Sequence, residues 1–490
     1  MRSAPSVWLP SDLWQECSAE AVARVQAGKP TPAELRQWAR VLRAARVRWL
    51  LPMRTPQLVE ALDETSRLWL QPHLPERHEA IALIHQHSGF SSEMVAHCIE
   101  LEMKSSLRPD LEAALRRELG GLACLDDFQE DTLLGGSSRA LGVPLVGAIF
   151  SSNIPALPHL SVMRALLVKS ALLGRSSRAE PFFLPLYLQT LARVSPELAR
   201  CVTALTWDPD DIALTSTFLS ELDHLIAYGG TAAFTSLRRM LPPTLPTSWH
   251  GHKLGFVLLL RGALVSPSAR RRLADALAYD FSLFEQQACL SPQFLWVEDA
   301  KAEELQSFTE MLIQALGVWK ERLPPRRLPV EVLGHRRQML ELLQLRQALG
   351  EPVQVLTPAS ELQGVVVQLS PELLVSNPLE RFVSLVPISN FSEVLPLLEQ
   401  RRGQLQNVAL EGDSTRYREV CNVLASLGVS RICPPGKMGV PSMMWRHDGG
   451  TRLAELVRWC DEERLSPEER LLTQPLDIPL QGDDDVRDIV

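Results

Sequence analysis

The sequence predicts an α/β protein built on parallel sheet, with a helical region at its N-terminal end. Three observations carry that reading. Short apolar runs bounded by turn residues, "VPLVGAIF" (143–150), "LIAYGG" (225–230) and "LGFVLLL" (254–260), have the texture of strands buried on both faces. Helical patterns separate these runs, as crossovers between parallel strands require. Turns bearing asparagine or glycine, "SSNIPALP" (151–158) and "AYGGTAA" (227–233), follow two of the strands directly, where open α/β sheets place ligands. At 490 residues the chain is too long for one core and suits two or three domains.

Taken in order, the first 125 residues read as helices. In "TPAELRQWARVL" (31–42), Thr31 is the N-cap, Pro32 holds the first helical position and Glu34 closes a capping box. Leu35, Trp38 and Leu42 then recur at helical spacing. The turn cluster "LGGSSRALG" (134–142) ends this region, and the strand "VPLVGAIF" follows. "HLSVMRALLVKSALLG" (159–174) reads as a helix ended by Gly174. Over 268–287, Leu273, Leu277, Phe281 and Phe284 share one helix face. "FLWVED" (294–299) is the next strand, and "LPVEVL", "GVVVQL", "RFVSLVPI" and "LQNVAL" are read as strands of a second α/β half. "LPPRRLP" (323–329) is a loop within that half. "TRLAELVRWCDEE" (451–463) reads as a helix, and the chain closes on the acidic "GDDDVRDIV".

Composition narrows the function classes. A net charge of −8 with no long basic stretch argues against nucleic acid as a partner. "MRSAPSVWLPSDLWQE" lacks the apolar core of a secretory signal. "LGFVLLLRGALV" is interrupted by Arg261 and too short to span a bilayer, so no membrane span and a cytoplasmic location are expected. Eight cysteines lie scattered with no C-x-x-C spacing and no zinc-ligand pattern; they read as reduced thiols, and no metal site is expected.

Several residue groups carry chemistry or a blander role. Cys289, in "FEQQACLSPQ" (284–293), stands between a helix and a strand. There it is either a core thiol or a nucleophile able to form a thioester. Its nearest charge in sequence is Glu285, so any activation comes from elsewhere in the fold. Asn153 either donates to a developing oxyanion or caps the next helix. Gly229, Gly230 and Thr231 either let a phosphate approach a helix N-terminus or form a tight turn. "GRSSRAEP" (174–181), with Arg175, Ser177 and Arg178, suits a phosphate monoester or is a solvated loop. His250 and His252, in "WHGHK", have no third ligand nearby, and one of them is a candidate for proton transfer. "HQH" (85–87) reads as helix surface. "MMWRHDGG" (443–450) is a polar, aromatic turn to which spacing assigns no role.

In this order the segments resemble the aldehyde dehydrogenase superfamily, and more narrowly its acyl-CoA reductase branch of the LuxC type. "SSNIPALPHLSVMRALLVKSALLGRSSRAEP" resembles the superfamily's asparagine loop with the helix and strand after it, and "LIAYGGTAAF" the branch's glycine turn. "LFEQQACLSPQFLWVE" is similar to the segment of the nucleophilic cysteine, and "PLERFVSLVP" to the one whose glutamate contacts the nicotinamide ribose. "RICPPGKMGVPSMMWRHDGG" with "LVRWCDEE" resembles the branch's C-terminal signature. The resemblance spans about 130–460.

It implies an aldehyde dehydrogenase-like fold: a helical region at 1–125 packed on the cofactor domain, a Rossmann-like cofactor domain at 126–280, a catalytic domain at 281–445, and a C-terminal helix with acidic tail at 446–490. It implies Cys289 as nucleophile, with the Asn153 amide and the Cys289 N–H as oxyanion donors. Ser151, Arg175, Ser177, Arg178, Gly229, Gly230, Thr231, Glu380 and Phe382 then fall on cofactor-binding positions. Two departures from the superfamily pattern matter. Arg178 stands where NAD-preferring members carry a glutamate, which favours NADPH. Trp249 stands where hydrolytic members carry a general-base glutamate, which disfavours water attack unless His250 replaces that base. The expected activity is NADPH-dependent reduction of an acyl thioester, carried by CoA or an acyl-carrier protein, to the aldehyde. A homo-oligomer is expected by the same resemblance. The alternatives are aldehyde oxidation to an acid or acyl-CoA on the same fold, and a non-catalytic scaffold.

Overall fold

The computed structural model describes residues 6–133, 135–357, 364–371 and 377–464. The acidic tail lies outside them. Among the described residues no helix is long and apolar enough to cross a membrane.

The N-terminal region is helical as expected. The helix Pro32–Ala45 opens with the Thr31–Glu34 capping box and buries Leu35, Trp38 and Leu42. Further helices span Thr55–Leu70, Pro75–Ser88, Ser92–Lys104 and Arg108–Leu119. Arg43 and Arg46 lock the end of the helix Pro32–Ala45 onto the sheet that follows. Arg43 pairs with Asp223 (2.5 Å), and Arg46 donates to the carbonyls of Lys169 (2.7 Å) and Gly142 (2.6 Å). A hydrogen bond satisfied on a buried backbone oxygen fixes position more than it adds net stability.

Among the described residues, fifteen strands form three sheets. β1 (Gln129–Asp131) and β2 (Gly136–Gly142) precede a five-stranded sheet made of β3 (Leu145–Ile149), β4 (Ala171–Arg175), β5 (Val202–Leu205), β6 (His224–Tyr228) and β7 (Thr247–His250). Its order is β5-β4-β3-β6-β7, all parallel. The chain reverses direction across the sheet between β3 and β6, the crevice position at which α/β sheets bind ligands. A seven-stranded sheet follows: β8 (Leu254–Leu259), β9 (Pro292–Glu298), β10 (Val353–Val355), β11 (Val365–Leu369), β12 (Phe382–Ile388), β13 (Leu405–Glu411) and β14 (Arg431–Cys433). Its order is β10-β11-β12-β9-β8-β13-β14, parallel except between β10 and β11. β15 (Val457–Glu463) returns to pair antiparallel with β2, completing the three-stranded sheet β1-β2-β15.

Four expectations need correction. First, β8 lies in the larger sheet and the helix Pro267–Ser282 packs on it, so the sheet that Cys289 leads into begins near 254, whereas the boundary was expected at 281. Second, the helix from Pro158 ends at Leu167. Lys169 turns at φ 60° and ties its ammonium to Asp126, so Gly174 lies inside β4 rather than at a helix end. Third, "LPVEVL" is no strand: Pro329 caps a helix over Val330–Ala348. Its valines suggest a strand, but the run of helix formers after them extends the helix back to the proline, leaving Val330 80% exposed. Fourth, the C-terminal helix expected over 451–463 is a short 3₁₀ turn followed by β15. Pairing with β2 overrides helical propensity here. Gly136 admits the approach: a Cβ on it would lie 1.8 Å from the carbonyl oxygen of Glu462.

Candidate active site

The loop that carries Cys289 is strained and firmly held. After Ser282 the helix breaks, and Phe284, Glu285 and Gln286 all take positive φ (56°, 52° and 58°). Leu379, Glu380 and Arg381 do the same at 60°, 54° and 62°. Non-glycine residues in this region store strain that surrounding contacts must over-determine. The contacts are present. Arg381 grips the Glu285 carboxylate with two bonds (2.8 and 2.5 Å) and donates to the Leu323 carbonyl (2.7 Å). The Glu380 N–H donates to the Glu285 carbonyl (3.1 Å). The Gln286 amide bonds the Pro292 and Phe382 carbonyls (2.8 and 3.0 Å) and accepts from the Phe382 N–H (2.7 Å). The two left-handed stretches therefore brace each other, and Cys289 is delivered three residues before β9 begins.

Cys289 is partly accessible and opens onto two cavities. One is polar, walled by Ser151, Asn153, Gly229, Gly230, His250, His252, Lys253 and Gln287. The other is mostly apolar, walled by Leu101, Ile154, Leu157, Leu160, Phe284, Leu290, Val440 and Met443, with Arg164 and Arg452 among its lining. Ile154, Leu157, Tyr228, Ala288 and His447 border both, as Cys289 does.

The imidazole in contact with the thiol is that of His447. Its Nε2 lies 3.8 Å from Cys289 Sγ, the 158-residue separation being closed by the fold. His250, the expected proton carrier, stands one ring behind: the two imidazoles stack at 4.2 Å and 12°. His250 Nδ1 bonds Asp448 Oδ2 (2.9 Å), and Asp448 Oδ1 accepts from the Gln406 amide (2.8 Å) with Lys253 at 3.6 Å. Trp445 covers the other side of His447, 4.7 Å between centroids. The donor atoms of His250, His447 and Asp448 lie within 4.8 Å of one another, a spacing a metal ion would accept. The two rings are stacked face to face, however, so their lone pairs do not converge on one point.

Burial dominates the electrostatics. It pushes the Cys289 thiol up to about 12; Asp448 adds to the rise, while Arg452 and Lys253 oppose it. Burial, then the charges of His250, Arg452, Arg164 and Lys253, hold His447 well below the ordinary imidazole value. His250 is lowered by burial despite its bond to Asp448. At neutral pH the resting pair is therefore a thiol beside a neutral imidazole.

Asn153 lies in the polar cavity beside Cys289. Its amide N–H donates to the Gln287 carbonyl (2.8 Å), and its Oδ1 accepts from Ser151 Oγ (2.6 Å), which fixes the amide's orientation. A second N–H remains on that amide for a ligand. Gly229, Gly230 and Thr231 are placed as expected, in the turn from β6 into the helix Thr231–Arg238. Gly230 is its N-cap with no side-chain bond, so first-turn N–H groups stay available. A Cβ on Gly230 would lie 3.0 Å from His252 Nε2, and one on Gly251 2.9 Å from the Phe234 ring. This bare turn fits a dinucleotide pyrophosphate. Trp249 packs on Phe234 and under Arg238.

Three groups of expected residues sit elsewhere. Arg178 pairs with Asp208 (2.9 Å) in a separate hollow that Lys29 and Thr206 also line. Arg175 lies over the Trp207 ring and donates to its carbonyl (3.3 Å), and Ser177 Oγ accepts from the Ala179 N–H (3.3 Å) in the turn between them. Glu380 does not open onto the polar cavity. It is buried, with its carboxylate held by Arg326 and by the Gln287 amide (2.7 Å). Phe382 is wholly buried in the core of the larger sheet and has no surface for a cofactor. Sequence reasoning missed His447, Asp448 and the cavity arginines. The signal for the first two was the "RHD" run in a turn already set aside as polar and aromatic.

Comparison with known proteins agrees with this geometry. The model of the family described as "Acyl-CoA reductase (LuxC)" matches residues 50–459. The chain is 23% identical over 417 residues to a long-chain acyl-protein thioester reductase of Photorhabdus luminescens, covering 84% of this chain and 82% of that one. It is 23% identical over 417 residues to the protein of that name from Vibrio harveyi, covering 83% and 82%. Among solved structures, an NAD-dependent aldehyde dehydrogenase from Sinorhizobium meliloti superposes with a TM-score of 0.68 over 89% of each chain at 12% identity. A benzaldehyde dehydrogenase from Corynebacterium glutamicum does so at 0.63 and 15% identity, covering 89% of this chain and 91% of that one. The fold is thus that of the aldehyde dehydrogenases, and the chain belongs to the acyl-CoA reductase family of the LuxC type.

Proposed function

We propose that the protein reduces an acyl thioester to the aldehyde with NADPH, through an S-acyl intermediate on Cys289. The observation that carries this is the position of Cys289, shared between an apolar cavity that suits an acyl chain and a polar one that suits a dinucleotide.

His447 Nε2 takes the Cys289 proton as the sulfur attacks the thioester carbonyl. The Asn153 amide and the Cys289 backbone N–H receive the oxyanion. The carbon–sulfur bond to the carrier then breaks, and the carrier thiolate leaves with the proton held on His447. Gly229, Gly230 and Thr231 would hold a reduced nicotinamide dinucleotide, which would supply the hydride when bound. The same two donors steady the oxyanion of the resulting thiohemiacetal. That oxyanion collapses, the Cys289 sulfur departs as thiolate, and His447 returns to it the proton taken in the first step, while the carrier thiolate takes its proton from solvent. Asp448, through His250, fixes the imidazole stack, while Trp249 leaves water without a base, which preserves the acyl-enzyme for reduction.

NADPH is proposed over NADH because Arg178 and Lys29 line one hollow, where a 2′-phosphate taking the place of Asp208 on Arg178 would meet both cations. The carrier is CoA or a carrier protein. A homo-oligomer would pair through the β1-β2-β15 sheet, which stands apart from both main sheets and keeps Trp459 46% exposed. The test is absorbance at the nicotinamide band with NADPH and a long-chain acyl-CoA. Loss of NADPH with equal aldehyde formed, absent in Cys289→Ala, is expected. NADPH loss that survives Cys289→Ala would refute the covalent route.

A further inference from the structure

Arg164 touches no reacting atom in the steps above; there its charge only joins those that keep His447 neutral. It stands on the helix Pro158–Leu167, is 1% exposed, and its Nε, Nη1 and Nη2 all lack a hydrogen-bond partner. A guanidinium carries five N–H donors and keeps its charge, so burial without acceptors is costly. The side chain lines the apolar cavity that opens on Cys289. Two more unmet donors line the same cavity: Arg452 Nε, on a residue 5% exposed, and Trp445 Nε1. The carboxylate on that wall, Glu102, makes no hydrogen bond to either arginine among the described residues; burial raises it to about 8 even with both guanidinium charges near. Glu118 is spent on the backbone N–H groups of Arg452, Leu453 and Ala454 (2.8, 2.6 and 3.1 Å), and Glu455, whose charge also acts on Arg164 and Arg452, hydrogen-bonds neither guanidinium among the described residues. A mostly apolar cavity thus carries a cluster of donors that no side chain of the wall hydrogen-bonds.

We propose that this cavity takes an acyl group bearing a carboxylate along or at the end of its chain, gripped by Arg164 with Arg452 and Trp445. The proposal rests on the thioester reading above and names its substrate class. A carboxylate is planar and offers two oxygens to the guanidinium fork. A phosphate would bring a second charge into an apolar wall, and a lone keto oxygen would leave most of the donors unmet. A plain alkyl chain would leave all of them unmet.

The test compares CoA thioesters of matched length, ω-carboxyacyl against alkanoyl from six to twelve carbons, by calorimetric titration of Cys289→Ala and by turnover of the native enzyme. At least tenfold tighter binding and tenfold higher kcat/KM for the carboxylated member of at least one pair is expected. Arg164→Met should erase that preference, bringing the two members of each pair to within about twofold of each other in affinity. Should that variant fail to fold, Arg452→Met and Trp445→Phe should each reduce the preference, and the native ratio stands without any variant. Alkanoyl thioesters reduced as well as, or better than, their carboxylated partners at every length would overturn this proposal alone. Binding and reduction of neither class would overturn the thioester reading and this proposal with it.

Discussion

The two cavities that meet at Cys289 are built by opposite means. The polar one is made of chain turns: the asparagine loop after β3, the glycine turn after β6 and the turn after β7 all arrive at the same end of one parallel sheet. Its chemistry lies in backbone N–H groups and a few fixed amides. The apolar one is made of side chains from distant parts of the sequence: the helix Ser92–Lys104, the helix Pro158–Leu167 and the stretch from Gly439 to Arg452. Sheet topology therefore fixes the first, while packing between separate segments fixes the second. A common fold can keep its dinucleotide side and change its substrate side without touching the sheet.

The largest effect expected is on the residue both cavities share. Cys289→Ala should abolish aldehyde formation, a loss of about 10⁴-fold or more in kcat, with NADPH binding retained. Retained binding in the polar cavity would show that the two sides are separable; its loss would show that the nucleophile loop also shapes the dinucleotide side. Next come the groups that act on the thioester carbonyl. Asn153→Ala should cost about 10²–10³-fold in kcat, since it removes one oxyanion donor. A tenfold change in KM with kcat intact would instead assign Asn153 to cofactor binding.

How much of this was legible in the sequence follows the same division. The buried strands, Asn153, the glycine turn and Cys289 could be read because each lies within a few residues of its strand, where local pattern carries the signal. The Cys289–His447 contact could not, because it joins residues 158 apart and no local pattern encodes it. Arg164 was hidden for another reason. One arginine in "SVMRALLVKS" reads as the solvent side of a helix, but here nearly every residue of that helix is buried. Glu380 and Phe382 matched a family segment by position; the structure turns one into a brace for Gln287 and the other into core. β15 was misread because its partner strand, not its own composition, decides its conformation.

The His447 side of the pair is tested through pH. The thiol is raised by burial to about 12 and the imidazole lowered, so the neutral pair prevails over the physiological range. Alkylation of Cys289 by iodoacetamide should be slow at pH 7 and climb about tenfold per unit to at least pH 9, because only the thiolate reacts. A plateau by pH 7 would show a preformed thiolate–imidazolium pair. His447→Gln should cost about 10²–10³-fold in turnover while leaving the slope of alkylation with pH unchanged.

The smallest effects separate the cavities directly. Leu160→Trp, which fills the apolar side, should raise KM for a long acyl-CoA about tenfold and leave that for NADPH alone. Gly230→Val, whose side chain would press on His252, should do the reverse. If either variant moved both constants equally, the division into an acyl side and a dinucleotide side would not hold.

The most direct measurement is the intact mass of the protein after incubation with a long-chain acyl-CoA and no NADPH. The account predicts one acyl group added per chain, mapped to Cys289, absent in Cys289→Ala, and released as one equivalent of aldehyde when NADPH is added. Aldehyde formed from NADPH and acyl-CoA with no adduct at Cys289, and at the same rate in Cys289→Ala, would contradict it.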